Sequence, residues 1–228
     1  MRKSFSIFVV AALGTFTVLT TSAQKSSSFA GTVKFSVKYE GNTNPKDHSP
    51  HEQLYTIFGN KIKVVIPPWV VQILDGDAVK AIVLYDIPGN KCGYRMGKEQ
   101  FETEQEKNNY TYVKGEETKT ICGYVCTRYD VTIYDTEEDE ETKGFVYTTT
   151  EIGESSDINN FEYPGLTGFP LYAEMTAPNG VKTIEEAIMV KPTKVKGVDF
   201  LEPAGYKMFP SQMEWGLYMR AWQDGMKK

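Results

Sequence analysis

The segment Thr118 to Glu151, TKTICGYVCTRYDVTIYDTEEDEETKGFVYTTTE, constrains the fold most, because much of it alternates with a period of two. Val125, Thr127, Tyr129, Val131 and Ile133 fall on one side, and Cys126, Arg128, Asp130, Thr132 and Tyr134 on the other, as in an antiparallel strand buried on one face. The chain then passes through Asp135 to Glu141, where six of seven residues are acidic. It returns as Gly144 to Thr150, rich in the aromatic and β-branched residues that strands favour. The segment reads as one long β-hairpin whose acidic tip stands in water.

Similar signals recur along the chain. Val33, Phe35, Val37 and Tyr39 alternate with Lys34, Ser36, Lys38 and Glu40. Gln53–Phe58 and Lys61–Ile66 flank Gly59-Asn60, a hairpin turn pair. Pro67-Pro68-Trp69 opens a short helical turn running towards Asp75. Ala81–Tyr85 is apolar on both faces, as in a central strand, and Pro88-Gly89-Asn90 turns it into a strand placing Cys92, Tyr94 and Met96 on one face. The polar stretch Gly97–Asn109 is a loop or an exposed helix, after which Tyr110–Glu117 resumes extended structure. Leu171–Thr176 and Val181–Val190 are strands separated by Pro178-Asn179-Gly180. Roughly ten strands joined by short turns predict a mainly antiparallel meander.

The tail changes period. Ser211-Gln212-Met213-Glu214 is a capping box, and Trp215, Tyr218, Met219, Trp222 and Met226 recur at spacings of three and four. A stripe this apolar is expected to be buried, with Trp215, Met219 and Trp222 laid against the concave face of the sheet.

Arg2 and Lys3 precede an apolar run from Ile7 to Leu19 that ends in Thr21-Ser22-Ala23-Gln24, the pattern of a signal peptide over residues 1–23, cut after Ala23. The run is shorter than the ~20 apolar residues a membrane span needs. Residues 24–228 then form one exported, soluble domain, periplasmic or secreted. Loss of Arg2 and Lys3 takes the net charge from −5 to −7. With the remaining basic residues scattered, nucleic-acid binding is disfavoured.

Chemistry is sparse. Cys92, Cys122 and Cys126 are an odd set, and Cys122 and Cys126 would stand roughly 13 Å apart on an extended strand. Unless Gly123 bends the chain, a disulfide has to involve Cys92; three small buried hydrophobes is the alternative. Asp47-His48-Ser49-Pro50-His51-Glu52 holds both histidines, but Pro50 puts them in a loop, and a solvated loop is the plainer reading than a metal site. No nucleophile elbow, P-loop or dinucleotide glycine pattern occurs. No catalytic residue, metal ligand or cofactor is assigned. Gly165, Gly168 and Pro170 shape a loop across the rim of the sheet, with Phe161, Tyr163, Leu166 and Phe169 packing inward as the lip of any pocket.

The segments Thr118–Cys126, Phe161–Tyr172 (FEYPGLTGFPLY) and Phe200–Tyr206 (FLEPAGY) resemble an exported bacterial family of unknown function, number 4412 in the domain-of-unknown-function series (DUF4412). The resemblance covers the whole mature chain and is most specific from Lys119 to Tyr206. The Ser-Ala-Gln cleavage site is similar to that of Bacteroidota exports. That family is similar in architecture to the LolA and LolB lipoprotein carriers. The resemblance implies an α+β fold that is mainly β: a curved antiparallel sheet forming an unclosed half-barrel, LolA-like, covered by a C-terminal helix over a lipophilic cavity. A lipid, acyl chain or lipoprotein is the ligand it implies, with Phe161, Tyr163, Leu166, Phe169, Trp215, Met219 and Trp222 as candidate contacts. The alternatives are a structural or interaction module whose core is filled by its own side chains, and a carboxylate-dependent hydrolase.

Overall fold

The computed structural model describes residues 29–41, 51–153 and 162–226. Six strands come first: β1 (Ala30–Glu40), β2 (His51–Phe58), β3 (Lys61–Ile66), β4 (Val70–Asp75), β5 (Lys80–Ile87) and β6 (Asn90–Met96). Helix α1 (Lys98–Glu106) leads to a second run: β7 (Asn108–Ile121), β8 (Tyr124–Asp135), β9 (Glu140–Thr149), β10 (Phe169–Thr176) and β11 (Lys182–Pro192). A 3-10 turn (Gly197–Phe200), a short strand β12 (Lys207–Phe209) and helix α2 (Gln212–Met226) complete the chain. The expected region 1–23, the loop residues 42–50 with His48, and Phe161 lie outside the described residues.

All the described strands belong to one sheet, ordered β12-β6-β5-β4-β3-β2-β1-β11-β10-β9-β8-β7. Two antiparallel meanders, β1 to β6 and β7 to β11, are joined by the pairing of β1 with β11, where Val33 faces Val190 and Val37 faces Glu185. Only β12 runs parallel to its neighbour, β6. The fold is therefore mainly β with helix, as expected, and the sheet is not closed into a barrel.

Its curvature follows from the connection through α1. β6 and β7 stand ten strand spacings apart in the sheet order, about 48 Å if the sheet were flat. Nine helical residues span only about 14 Å. The sheet must curl until its two ends approach each other, and one face becomes concave. Phe35, Tyr55, Val64, Val83, Tyr94 and Ala173 share that inner face through the strand registers.

The tail binds the β6 edge from both sides. Phe200 packs on Ile73 and Leu84 of the outer face and stacks on Phe58 at 6.4 Å, while Arg95 Nε and Nη2 donate to the two Glu202 carboxylate oxygens at 2.8 and 2.7 Å. β12 then pairs along β6, and α2 turns onto the inner face. There Trp215 stacks on Tyr85 with ring centroids 4.4 Å apart and leans on Tyr94 at 5.3 Å. The expected N-cap is present, the Glu214 amide donating to Ser211 Oγ at 3.2 Å.

Three local expectations are corrected. Val70–Asp75 is strand β4, not the end of a helical turn: Ile66 pairs with Val70 across Pro67-Pro68-Trp69, and the apolar run buries itself between β3 and β5. Cys122 and Gly123 do not extend a strand. Both have positive φ, 49° and 90°, and form a two-residue turn closing β7 onto β8, with Ile121 opposite Tyr124. The faces of β8 also do not run straight through. Val131 and Cys126 are both buried, on opposite alternation, while Val125 is 60% exposed. A bulge between Lys114 and Thr118 of β7 twists the hairpin there, and the end carrying Cys126 packs with Ile121 and Ile152 instead. The acidic tip is solvated as expected, with Asp135 Oδ1 accepting from the Glu137 and Glu138 amides.

Candidate functional site

The curl of the sheet leaves space unfilled. A cavity of about 360 Å³ lies on the inner face, walled on one side by Ile62, Val64, Leu74 and Val83 and on the other by Phe169 and Ala173. These walls are apolar because each strand presents its alternate residues inward. Phe101, the one large apolar residue of α1, reaches the same cavity, so the helix that links the two ends of the sheet also roofs the space.

One corner of the cavity is polar. Glu185 of β11 lies opposite Val37 of β1, which pairs on its other side with His51, so β1 carries polar neighbours on both flanks. On β2, Tyr55 donates its hydroxyl to Gln53 Oε1 at 3.3 Å, and Gln53 Nε2 lies 3.3 Å from His51 Nε2. His51 is therefore a strand residue, stacked on Tyr39 at 5.8 Å, and not part of a loop. The loop before β10 contributes Glu162 and Tyr163. Gly165 and Gly168 shape that loop with φ of 82° and 86°, and a Cβ on Gly168 would come within 3.0 Å of the Thr149 carbonyl oxygen.

Burial dominates the electrostatics of this corner. It raises the Glu162 carboxyl to about 8, and the neighbouring Glu185 carboxylate pushes it the same way, against a hydrogen bond from Tyr163. Burial raises Glu185 as well. Glu162 is crowded by protein and lines the cavity, yet it keeps accessible surface. The Tyr55 and Tyr163 hydroxyls are raised well above their ordinary value, first by burial and then by the two glutamates. Tyr112 of β7 shares the environment: its hydroxyl is buried, has no hydrogen-bond partner among the described residues, and is raised by burial and then by Tyr110 and Glu162. Two carboxyls therefore face an apolar space with no cation beside them among the described cavity-lining residues. Burial favours the protonated form of both, and the charge of Glu185 adds to that effect at Glu162.

Of the expected contact residues, Tyr163 and Phe169 line the cavity, with Pro170 beside them. Leu166, 1% exposed, packs with Val131, Val146 and Ala173 and supports the loop from behind. Trp215 and Met219 sit on the inner face at the β5–β6 end and do not line the cavity themselves, although Trp215 packs on Tyr94, which does. Met219 is buried against Asn90 and Cys92, and the Tyr218 hydroxyl donates to Asn90 Oδ1 at 2.9 Å. Trp222 is half-buried further along α2, and Met226 is 69% exposed. The C-terminal helix thus covers one end of the concave face and is not the roof of the cavity. The stripe is broader than the surface it meets, because β6 is narrow and only the first two turns of α2 lie over it.

The sequence reading missed Glu162, Glu185 and Phe101. Glu162 stands directly beside the expected lip, and an acidic residue before an inward tyrosine was the available signal. The cysteines are all free: Cys92 and Cys126 are buried and Cys122 is exposed in its turn, its thiol donating to the Ala187 carbonyl at 3.2 Å. Among the described residues no cluster of metal-ligating side chains occurs, and no helix is long and apolar enough to cross a membrane. No family model and no curated protein matches the chain.

Proposed function

We propose that this chain is an exported, non-catalytic binding protein that holds an apolar ligand, a lipid or the acyl chain of a lipoprotein, inside its curled sheet. The observation that carries the reading is the cavity of about 360 Å³ between the two halves of the inner face, within the range of ligand pockets and with mainly apolar walls. A module with a self-filled core would have closed this space with its own side chains. α2 could have filled it, but its aromatic anchors are engaged at Tyr85 and Asn90. Kinship with the exported family and the lipoprotein carriers, and release from a signal peptide after Ala23, belong to the same proposal.

Lipid extraction of the purified protein followed by mass spectrometry tests it, together with uptake of a fluorescent apolar probe. Ala81, 3% exposed in the cavity wall, supplies the control: Ala81→Phe fills the space from within. Probe uptake by the wild type, reduced at least about tenfold in Ala81→Phe while the fold is kept, is the expected outcome. A wild-type protein that retains no lipid and takes up no probe ends the proposal.

The glutamate pair favours one second reading, a hydrolase using Glu162 as a proton donor and Glu185 as its partner, since paired carboxyls with one raised value are the apparatus of such catalysis. Turnover of glycoside or ester substrates that is lost in Glu162→Gln would establish it.

A further inference from the structure

We infer that the cavity selects its ligand by the polar end, taking an amphipathic molecule with an ammonium or other hydrogen-bond-donating head and rejecting a carboxylate head. This rests on the proposed binding role and adds the chemical class of the ligand. Three observations carry it. Glu162 and Glu185 are brought from separate parts of the chain to one corner of an otherwise apolar space, and both line it. The described residues lining the cavity include no lysine, arginine or histidine, so nothing there offsets the carboxyls or would receive an anionic head. The tyrosines around the pair, Tyr55 and Tyr163, are already engaged, with Gln53 and with Glu162.

The groups facing the pair include Tyr39 from β1, Tyr55 from β2, Tyr163 from the loop and Tyr112 from β7, with His51 hydrogen-bonded to Gln53. The tyrosines are neutral hydrogen-bonding groups and bring no positive charge. An ammonium entering this corner would find two acceptor groups in low dielectric, where charge-assisted hydrogen bonds are strongest. A carboxylate head would place a third acid beside two that already resist ionisation together. An alcohol falls between, able to donate one bond without charge.

A matched series of decylamine, decanol and decanoate, titrated into the intact mature protein at neutral pH by calorimetry, separates this inference from the role it rests on. The expected order is decylamine, then decanol, then decanoate, with the amine at least about tenfold tighter than the acid. In the double variant Glu162→Gln, Glu185→Gln the amine and the acid should converge while decanol changes little. The wild-type series alone decides the matter if the variant does not fold. Equal affinity for decylamine and decanoate would overturn the selection by head group and leave the cavity reading intact. Binding of none of the three would overturn both.

Discussion

The cavity glutamates give a signed prediction, because their carboxyls are raised from the ordinary value. Glu162 binds its proton more tightly in the folded protein, to about 8, than an unfolded chain would, near the ordinary 4.5. Between these values the folded state holds a proton that the unfolded state has lost, so stability falls as pH rises. Below about pH 4.5 both states are protonated and the contribution is fully present; above about pH 8 it is gone. Thermal melts from pH 5 to 8 should show a declining melting temperature. Glu162→Gln should flatten the decline and raise the melting temperature at pH 8 by about a few degrees. A variant whose pH profile overlays the wild type would mean that Glu162 is ionised and compensated at neutral pH. Gly168 shows the other way a residue serves the site. The same loop needs its positive φ and its lack of a side chain to pass the Thr149 carbonyl.

Among the elements, α2 most clearly separates the pattern of a sequence from its energetics. The spacing of Trp215, Met219 and Trp222 made the three equivalent, and a helix closing the fold would put Trp222 at its centre. In the folded chain the anchor is Trp215, between Tyr85 and Tyr94, while Trp222 is half-buried. Trp215→Ala should therefore cost about 3 kcal/mol, at the lower end for loss of a packed tryptophan, and Trp222→Ala about 1 kcal/mol. Denaturant melts of the two variants check the order. Equal losses would mean that α2 docks along its whole length. The β7–β8 hairpin makes a related point. Its Cys122-Gly123 turn needs two residues at positive φ, which glycine accepts freely and cysteine does not, so its register is held by the ladder from Ile121–Tyr124 onward.

In the whole molecule, an unclosed sheet has two edges to protect, and the chain treats them differently. The β7 edge carries Lys114, Glu116, Glu117 and Lys119 and a bulge, features that discourage pairing with another sheet. The other edge is covered by the tail, which packs Phe200 on the outer face, pairs β12 with β6 and sets α2 on the inner face. A chain ending at Pro192 would bare β6 and the apolar surface of Ile73 and Leu84 together. Such a chain should lose a large share of the roughly 5 to 15 kcal/mol typical of a domain and leave the monomer peak in size-exclusion chromatography. A monomeric truncated protein with an unchanged melting temperature would show the tail to be dispensable.

What the sequence by itself determined is local. Period-two alternation and turn pairs sufficed for β1, the β2–β3 and β5–β6 hairpins, the long β8–β9 hairpin and the β10–β11 pair, because the face a strand buries is written in adjacent residues. Ser211 and the change of period announced α2 for the same reason. The inward set Tyr163, Leu166 and Phe169 was legible from the glycines that shape their loop. β4 was hidden behind two prolines, whose effect on the chain depends on the strands either side. Only the tertiary structure decided that β1 joins β11, that α1 draws the ends of the sheet together, and that Glu162 and Glu185 meet in the space between. Val37 and Glu185 are neighbours across a ladder although far apart in the chain, and no local periodicity encodes such a pairing. A cavity is likewise a property of curvature summed over many strands, so a lone glutamate in a strand reads as solvated until the sheet closes around it.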